Sequence, residues 1–406
     1  MSRIALPGNY LPMLLSGVAL NLARGIGLFA GAYALSAETS SLLITEIGGA
    51  LYFLPMLCGS AFRRIPFLTR HQPPEIASAR GSAMVATLVT LTTLGIVLLG
   101  PSPILVMAFM LFIGFGNLIN ISIRLPHLQD MVGDAKGHRY MAIEAISSSA
   151  GALVGPILGG VMIALTGTAG AVFLCAIVMM AAAILLRAAR IVGSCSERHP
   201  AHSIADDARV LRTNIPLRGV LLVTVLMNVG FFAANPAIPH FAQDRGMDSI
   251  VAGWLTAALG FGCLIGSIHL ALRPTRRPDL VYTIGTIVGL GGLAAFVLTD
   301  NWALSFILLL IAGIGQSGFT VEQPVLALAS ADAPDRPAAM GLLSVAVGTL
   351  PLGVMITRLA EVFLVPSAAV ASICLLTLAM TPFASRLYHR RDRSPRSPYS
   401  ASRTGS

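Results

Sequence analysis

Apolar stretches long enough to cross a bilayer recur along the whole chain, separated by short polar or Pro/Gly-rich breaks. A helix needs about 20 apolar residues to span the hydrocarbon core. In the first half such runs fall at Tyr10–Leu35, Ser40–Phe62, Gly81–Leu99, Pro103–Ile123, Met141–Thr166 and Thr168–Leu186. In the second half they fall at Leu217–His240, Ile250–Leu272, Leu280–Thr299, Trp302–Leu328, Ala338–Val362 and Ser367–Leu387. Only helices and closed barrels leave no peptide group unsatisfied in lipid, and runs of this length exclude a barrel. The pattern predicts an all-α integral membrane protein with twelve transmembrane helices. Arg3 and the small residues Ala30, Ala32 and Ala34 imitate a secretory signal. The run Leu11–Leu35 is too long for one and carries Asn21 and Arg24, so it reads as a retained first helix.

Composition agrees. Of 406 residues, 55% are hydrophobic and 11% are charged, against roughly 25% charged in soluble domains. The net charge of +9 does not indicate nucleic acid, because the basic residues lie in short loops between apolar runs. Cys58, Cys175, Cys195, Cys263 and Cys374 are scattered and mostly within those runs. Their spacing offers neither a disulfide framework nor a metal site, and they read as small packing residues.

Arginine placement sets an orientation. With both termini cytoplasmic, the inner segments hold 24 of the 27 basic residues, and the outer segments hold only Arg245. Arg24 and Arg358 lie inside spans. A bias of this size favours an even number of spans in a cytoplasmic membrane. The connection Arg187–Arg218 is the longest and most polar, with Glu197, Asp206 and Asp207. It divides the chain into a six-helix unit (1–186), a cytoplasmic loop (187–216) and a second six-helix unit (217–387). A basic Arg/Ser/Pro-rich tail (388–406) is expected to be disordered and cytoplasmic.

The halves echo each other. Gly114-x-Gly116-Asn117 in the fourth run returns as Gly313-x-Gly315-Gln316 in the tenth. Val18-x-x-Asn21 returns as Val225-x-x-Asn228, and Gly160-Val-Met-Ile163 as Gly353-Val-Met-Ile356. Each match links span n to span n+6, as in transporters built from paired repeats.

The fifth run contains Gly151-Ala-Leu-Val-Gly155-Pro156-Ile-Leu-Gly159-Gly160. Small residues three or four apart make a smooth helix face for close approach, and Pro156 removes a backbone hydrogen bond and bends the helix. This segment resembles the fifth-helix antiporter motif of major facilitator superfamily exporters. The stretch from Arg124 to Phe173, together with Asp335-Arg336-Pro-Ala-Ala-Met-Gly341 and Pro351-Leu-Gly353, is similar to the enterobactin-exporter and macrolide-efflux branch. The resemblance implies two pseudo-repeated six-helix bundles and export rather than uptake. One position departs from it. After the second span the family carries a loop with an Asp that latches the outward-facing state, and here Gly59-Ser-Ala-Phe-Arg63-Arg64 puts Arg63 at that place.

A charge at mid-bilayer costs roughly 2.5–3.5 kcal/mol on insertion scales, so polar residues inside spans mark sites. The resemblance implies that the first, fourth, seventh and tenth helices line the cavity. Their polar residues are the candidate substrate contacts: Asn21 and Arg24; Asn117 and Asn120, on one stripe with Arg124; Asn228 and Asn235, with Phe231 and Phe232 beside them; and Gln316, Thr320 and Gln323. Arg24 favours an anionic, carboxylate- or hydroxamate-bearing substrate, since arginine binds carboxylates bidentately. Glu46 and Glu322 are the candidate proton carriers. Simpler roles compete with these. The amides can bond between helices, Arg24 can pair with Glu46, and Arg124 can snorkel to the interface. Glu144 can pair with a loop arginine, and Arg358 with Glu361, three residues on.

No Gly-x-Ser-x-Gly, His-Glu-x-x-His or phosphate-cradling loop adjoins a span. An enzyme is therefore not expected, nor any cofactor or bound metal. No polar stretch is long enough for a nucleotide-binding domain, so an ion gradient must supply the energy. The sequence reads as a monomeric, proton-driven exporter of a small amphipathic metabolite such as a siderophore. Macrolide or multidrug efflux, siderophore or nutrient uptake, and a non-transporting sensor stand as alternatives.

Overall fold

The computed structural model describes residues 10–57, 74–124, 134–188, 204–273, 275–332 and 335–389. The expectations for Arg63 and Arg64, and for the tail beyond residue 389, lie outside these residues. The described chain is all-helical. The first half contains α1 (Tyr10–Thr39), α2 (Leu42–Leu57), α3 (Pro74–Leu99), α4 (Pro103–Ile119) with a wider π turn at Asn120–Arg124, and α5 (Asp134–Ala188). The second half begins with a short amphipathic helix, α6 (Ile204–Thr213), and continues into α7 (Ile215–Met227). A π turn (Asn228–Phe232), a 3-10 turn (Asn235–Ala237) and α8 (Ile238–Asp244) extend the seventh run. Then come α9 (Ser249–Leu272), α10 (Pro278–Val297), α11 (Trp302–Ser330), α12 (Arg336–Val347), α13 (Leu350–Glu361) and α14 (Pro366–His389).

Local chemistry fixes several of these ends. Ser102, Asn214, Asp248 and Asn301 each accept a backbone N–H from the first turn of α4, α7, α9 and α11, satisfying donors that helix geometry leaves free. Gly100 (φ 88°) and Gly246 (φ 71°) turn the chain before α4 and α9 in a conformation that favours glycine.

Among the described residues, nine helices are long and apolar enough to cross a membrane, and α2 and α4 are apolar but shorter. One of the nine, Ile146–Ala188, has 43 residues, about 65 Å at 1.5 Å per residue and twice a bilayer core. Gly167 interrupts it with φ 73° and ψ −178°, at the break the sequence predicts between the fifth and sixth runs. Large apolar side chains face outward, among them Leu99 and Ile104 at 80% exposure. This is the surface of a chain whose solvent is lipid: the protein is a multi-pass membrane protein.

Two clusters of buried apolar residues form the interior. One is drawn from residues 20–183. The other is drawn mainly from 210–388, with Phe29 and Leu42 joining it from the first half. The glycine echo between the halves has a structural counterpart. Gly114 of α4 lies against the backbone of Tyr52 in α2, and Gly313 of α11 lies against the backbone of Leu259 in α9. The Gly160 and Gly353 pair does not match in this way. Gly160 meets Ser249 of α9, whereas Gly353 meets Val229 of the π turn after α7.

The fifth-run motif serves two neighbours. Gly151, Gly155 and Gly159 are four residues apart and share one face. They run alongside Asn21, Gly25 and Phe29 of α1, in matching register. The adjacent face, Ala152, Pro156 and Gly160, lies against Gly260, Gly253 and Ser249 of α9. A Cβ on Gly155 would stand 2.6 Å from the Gly25 Cα and 2.7 Å from the Ile26 nitrogen, and one on Gly253 would stand 2.7 Å from the Pro156 carbonyl oxygen. These are backbone atoms that cannot rotate aside. Gly155→Val is therefore expected to separate α5 from α1 and to cost roughly 1–3 kcal/mol or more. Thermal unfolding in detergent would read this as a lowered transition. Gly341→Ala, where nothing lies within 4 Å of the added methyl, should leave the transition unchanged.

Candidate functional site

The polar residues of the first half converge. Arg24, near the middle of α1, donates to Asn117 Oδ1 at 3.2 Å and to Ser148 Oγ of α5 at 2.6 Å. Asn21, one turn earlier, donates to Glu144 Oε1 at 3.1 Å and to Ser147 Oγ at 3.2 Å. Arg124, in the π turn after α4, forms an ion pair with Glu144. It also donates to Asn120 Oδ1 at 2.5 Å and to the Met13 carbonyl at 3.1 Å. Gly17 makes room for it, since a Cβ there would stand 2.7 Å from the guanidinium Nη1. A small pocket opens beside Asn21, Arg24, Asn117 and Asn120, walled by Ile113 and Met179.

Two expectations change here. Arg24 does not pair with Glu46: its partners are neutral groups on α4 and α5, because Glu46 lies in the first turns of the short α2, away from mid-depth. Arg124 does not snorkel, being 0% exposed. Its guanidinium is held inside by a carboxylate, an amide and a carbonyl. Glu144 does pair with an arginine of the connection after the fourth run, Arg124, and the pair is buried. The Arg358–Glu361 pair forms as the spacing suggested, at 3.0 Å.

The second half holds a neutral network. Thr224 of α7 is its node. Its hydroxyl accepts from Gln323 Nε2 at 3.0 Å and lies 3.0 Å from the Tyr282 hydroxyl, while its carbonyl accepts from Asn228 at 2.8 Å. Tyr282 stacks on Phe319, and Phe319 continues through Phe232 to Phe231. Phe231, Asn228 and Gln323 are buried, so this network turns them inward. Phe232, Asn235, Gln316 and Thr320 remain half-buried. Glu322 is buried on α11 and makes no hydrogen bond among the described residues.

The halves meet along a seam. At mid-depth Ser149 of α5 lies 3.5 Å from the Cys263 thiol of α9, which Arg24 and Thr320 also approach. Toward the end where α1 turns into α2, Ser36 bonds to His240 at 2.8 Å and Gln243 donates to the Tyr33 carbonyl at 3.2 Å. There Ser249 donates to the Gly160 carbonyl at 3.1 Å, and Gly49 meets Pro236. Among the described residues, the hydrogen bonds between the halves lie from mid-depth to this end. The seam is thus closed at one end.

Sequence reasoning missed Glu144 as the buried partner of Arg124, and missed Thr224 and Tyr282 altogether. An arginine on an apolar stripe needs a carboxylate, and that demand could have pointed to Glu144. Thr224 and Tyr282 carry no charge and sit in ordinary apolar runs, so nothing in the pattern marks them.

Comparison with known proteins fits this architecture. Residues 220–405 match the family described as Major Facilitator Superfamily. The enterobactin exporter EntS of Escherichia coli O81 (strain ED1a) is 24% identical over 275 residues, covering 67% of this chain and 64% of that protein. EntS of Escherichia coli O139:H28 (strain E24377A / ETEC) is 23% identical over the same length. The chain thus spans somewhat less than two thirds of these relatives. A solved bacterial homologue of the human lysosomal transporter Spinster, inward-facing and unoccupied, superposes with a TM-score of 0.66 at 13% identity. The superposition covers 97% of this chain and 100% of that one. A POT family transporter in complex with a thioalcohol-conjugated peptide gives 0.73 at 12% identity, covering 97% and 98%. Over nearly its whole length the chain shares the fold of these two solved transporters, and its second half matches the Major Facilitator Superfamily model.

Breaking the buried ion pair tests its structural weight. Arg124→Ala leaves Glu144 buried without its cation, which costs roughly 3–5 kcal/mol. Detergent unfolding should show a large loss for the single variant. The double variant Arg124→Met with Glu144→Leu, which removes both charges, should recover most of it.

Proposed function

We propose that the chain is a proton-coupled secondary transporter of the major facilitator type that exports a small, anionic, amphipathic metabolite, such as a siderophore. In this reading twelve spans cross a bacterial cytoplasmic (inner) membrane, with both termini inside. The nine long helices, the two shorter ones (α2 and α4) and the break at Gly167 support that count, and the arginine bias supports the orientation. Residues 1–186 and 217–387 form two six-helix units that rock about the α5 seam. The loop 187–216 joins them, and the basic tail 388–406 stays on the cytoplasmic face. The transporter works as a monomer.

The observation that carries the substrate class is the pocket around Arg24. A guanidinium at mid-depth whose partners are an amide and a hydroxyl keeps its positive charge uncompensated by any carboxylate bonded to it. Such a group recognises carboxylate or hydroxamate oxygens, and Asn21, Asn117 and Asn120 supply neutral donors and acceptors around them. Gln316, Thr320, Asn235 and Phe232 complete the cavity from the other half when substrate is bound. The likeness to EntS, an enterobactin exporter by name, supports a siderophore-like cargo. Macrolide or drug efflux is the second reading, favoured by the linked rings of Phe231, Phe232, Phe319 and Tyr282.

Export should depend on the Arg24 charge. In cells expressing normal amounts of protein, Arg24→Ala is expected to reduce efflux of a carboxylate- or hydroxamate-bearing siderophore by roughly tenfold or more, the equivalent of one lost charge-assisted hydrogen bond. An unchanged rate rejects the anionic-substrate reading. Coupling is tested with Glu46→Gln and Glu322→Gln in vesicles driven by a pH gradient. One of them is expected to abolish gradient-driven transport, and intact transport in both rejects these carriers.

A further inference from the structure

The Tyr52 hydroxyl is a buried polar group that the proposed function does not use. Tyr52 lies in the second half of α2 and is 2% exposed, and its hydroxyl has no hydrogen-bond partner among the described residues. A hydroxyl buried without a partner is costly, so such a group calls for an explanation. Its place in the bundle is fixed by α4. The Tyr52 backbone carbonyl lies against Gly114. Met56, one turn further on the same face of α2, meets the Asn117 amide nitrogen at 4.0 Å. Asn117 in turn accepts from Arg24 at 3.2 Å. The charged group that the Tyr52 hydroxyl approaches is Arg24, short of hydrogen-bonding geometry.

Donors outnumber acceptors around this hydroxyl. Arg24 can only donate, and its bonds to Asn117 Oδ1 and Ser148 Oγ leave other N–H groups of the guanidinium unused. The Asn117 oxygen is engaged by Arg24, and its nitrogen is a donor. What a phenol and a guanidinium can share is an acceptor with negative charge. The apolar surroundings suit a ring. Tyr52 meets the Phe53 ring edge-on, with centroids 4.7 Å apart. Phe53 packs on the cluster of Ala50, Ala233, Leu350 and Val354, on which Phe232 of the other half also packs. Both phenylalanines are half-buried, so each half brings one aromatic ring to the same place.

We infer that Tyr52 is a further substrate contact, and that its hydroxyl and the unused N–H groups of Arg24 together take the oxyanion of an aromatic acid, carboxylic or hydroxamic. The hydroxyl donates to one oxygen and Arg24 to the same oxygen or its neighbour, while the substrate ring lies toward Phe53 and Phe232. The anion supplies the acceptor that the helices around Tyr52 do not. The inference rests on the anionic-substrate part of the proposed function and deepens it. It adds a contact from α2 and narrows the cargo to an aryl acid, and it does not depend on which residue carries the coupling proton.

Calorimetric binding of benzoate and of its neutral counterpart benzamide to the purified full-length protein at neutral pH tests this. The wild type is expected to prefer benzoate. Tyr52→Phe should weaken benzoate binding by roughly tenfold, as expected for one lost hydrogen bond to a charged group, and benzamide binding by much less. Its thermal unfolding transition should hold or rise, because the unpaired hydroxyl is gone. The losses of Arg24→Ala and Tyr52→Phe should combine to less than their product, since both groups hold one anion. Unchanged benzoate affinity in Tyr52→Phe, beside a clear loss in Arg24→Ala, overturns the inference and leaves the anionic-substrate reading standing. Equal losses for both probes with a lowered transition also overturn it, since the hydroxyl then serves packing alone. Fully independent losses in the double variant do the same. A wild type with no preference for benzoate refutes the anionic reading itself, and this inference with it.

Discussion

Backbone-to-backbone contact along α5 is the constraint on which the rest depends. Lipid offers helices no hydrophobic reason to associate, so packing must come from close fit. α5 achieves this on two adjacent faces, one of small residues against α1 and one against α9. The first face is internal to the first half of the chain and fixes Asn21 and Arg24 opposite Ser147 and Ser148. The second joins the two halves. A side chain longer than hydrogen at Gly155 or Gly260 would disturb one or the other, and the polar residues between them would lose their spacing.

That spacing makes the interior asymmetric. The first half carries ions: Arg124 and Glu144 neutralise each other in full burial, and Arg24 is left with neutral partners. The second half answers with hydroxyls, amides and rings around Thr224. The two arginines of the first half thus have different roles. Arg124 is a structural post whose charge is cancelled by Glu144. Arg24 faces the pocket with its charge available. Sequence position alone could not separate them, since both lie on polar stripes of apolar helices.

Much of the fold was legible because apolar length and glycine spacing report directly on lipid and on helix contact. Gly167 lies at the break read between the fifth and sixth runs, and the repeat of Gly114 as Gly313 recurs as a repeated helix contact. Side-chain pairing was much less legible. A helical stripe tells which residues share a face, but not which helix that face meets. Asn117 and Asn120 did come to Arg24 and Asn21, because all four lay on stripes of the first and fourth runs. Glu46 was matched to Arg24 only by the rule that opposite charges in a membrane find each other. The structure instead leaves Glu46 buried, with no hydrogen-bond partner for either carboxylate oxygen. Asn228, Phe231 and Gln323 were read as cavity residues; the structure buries all three and bonds Asn228 and Gln323 to Thr224.

The central claim is that two packed halves pivot about the α5–α9 contact. Three spin-label distances on one protein, with and without a transported anion, test it most directly: across α5 and α9, across the closed end, and across the opposite end between Arg80 and Arg276, both exposed. The account predicts that the distances at the two ends change in opposite directions while the α5–α9 distance stays fixed. If both ends widen or narrow together, or if α5 and α9 separate, the halves do not pivot there and the account fails.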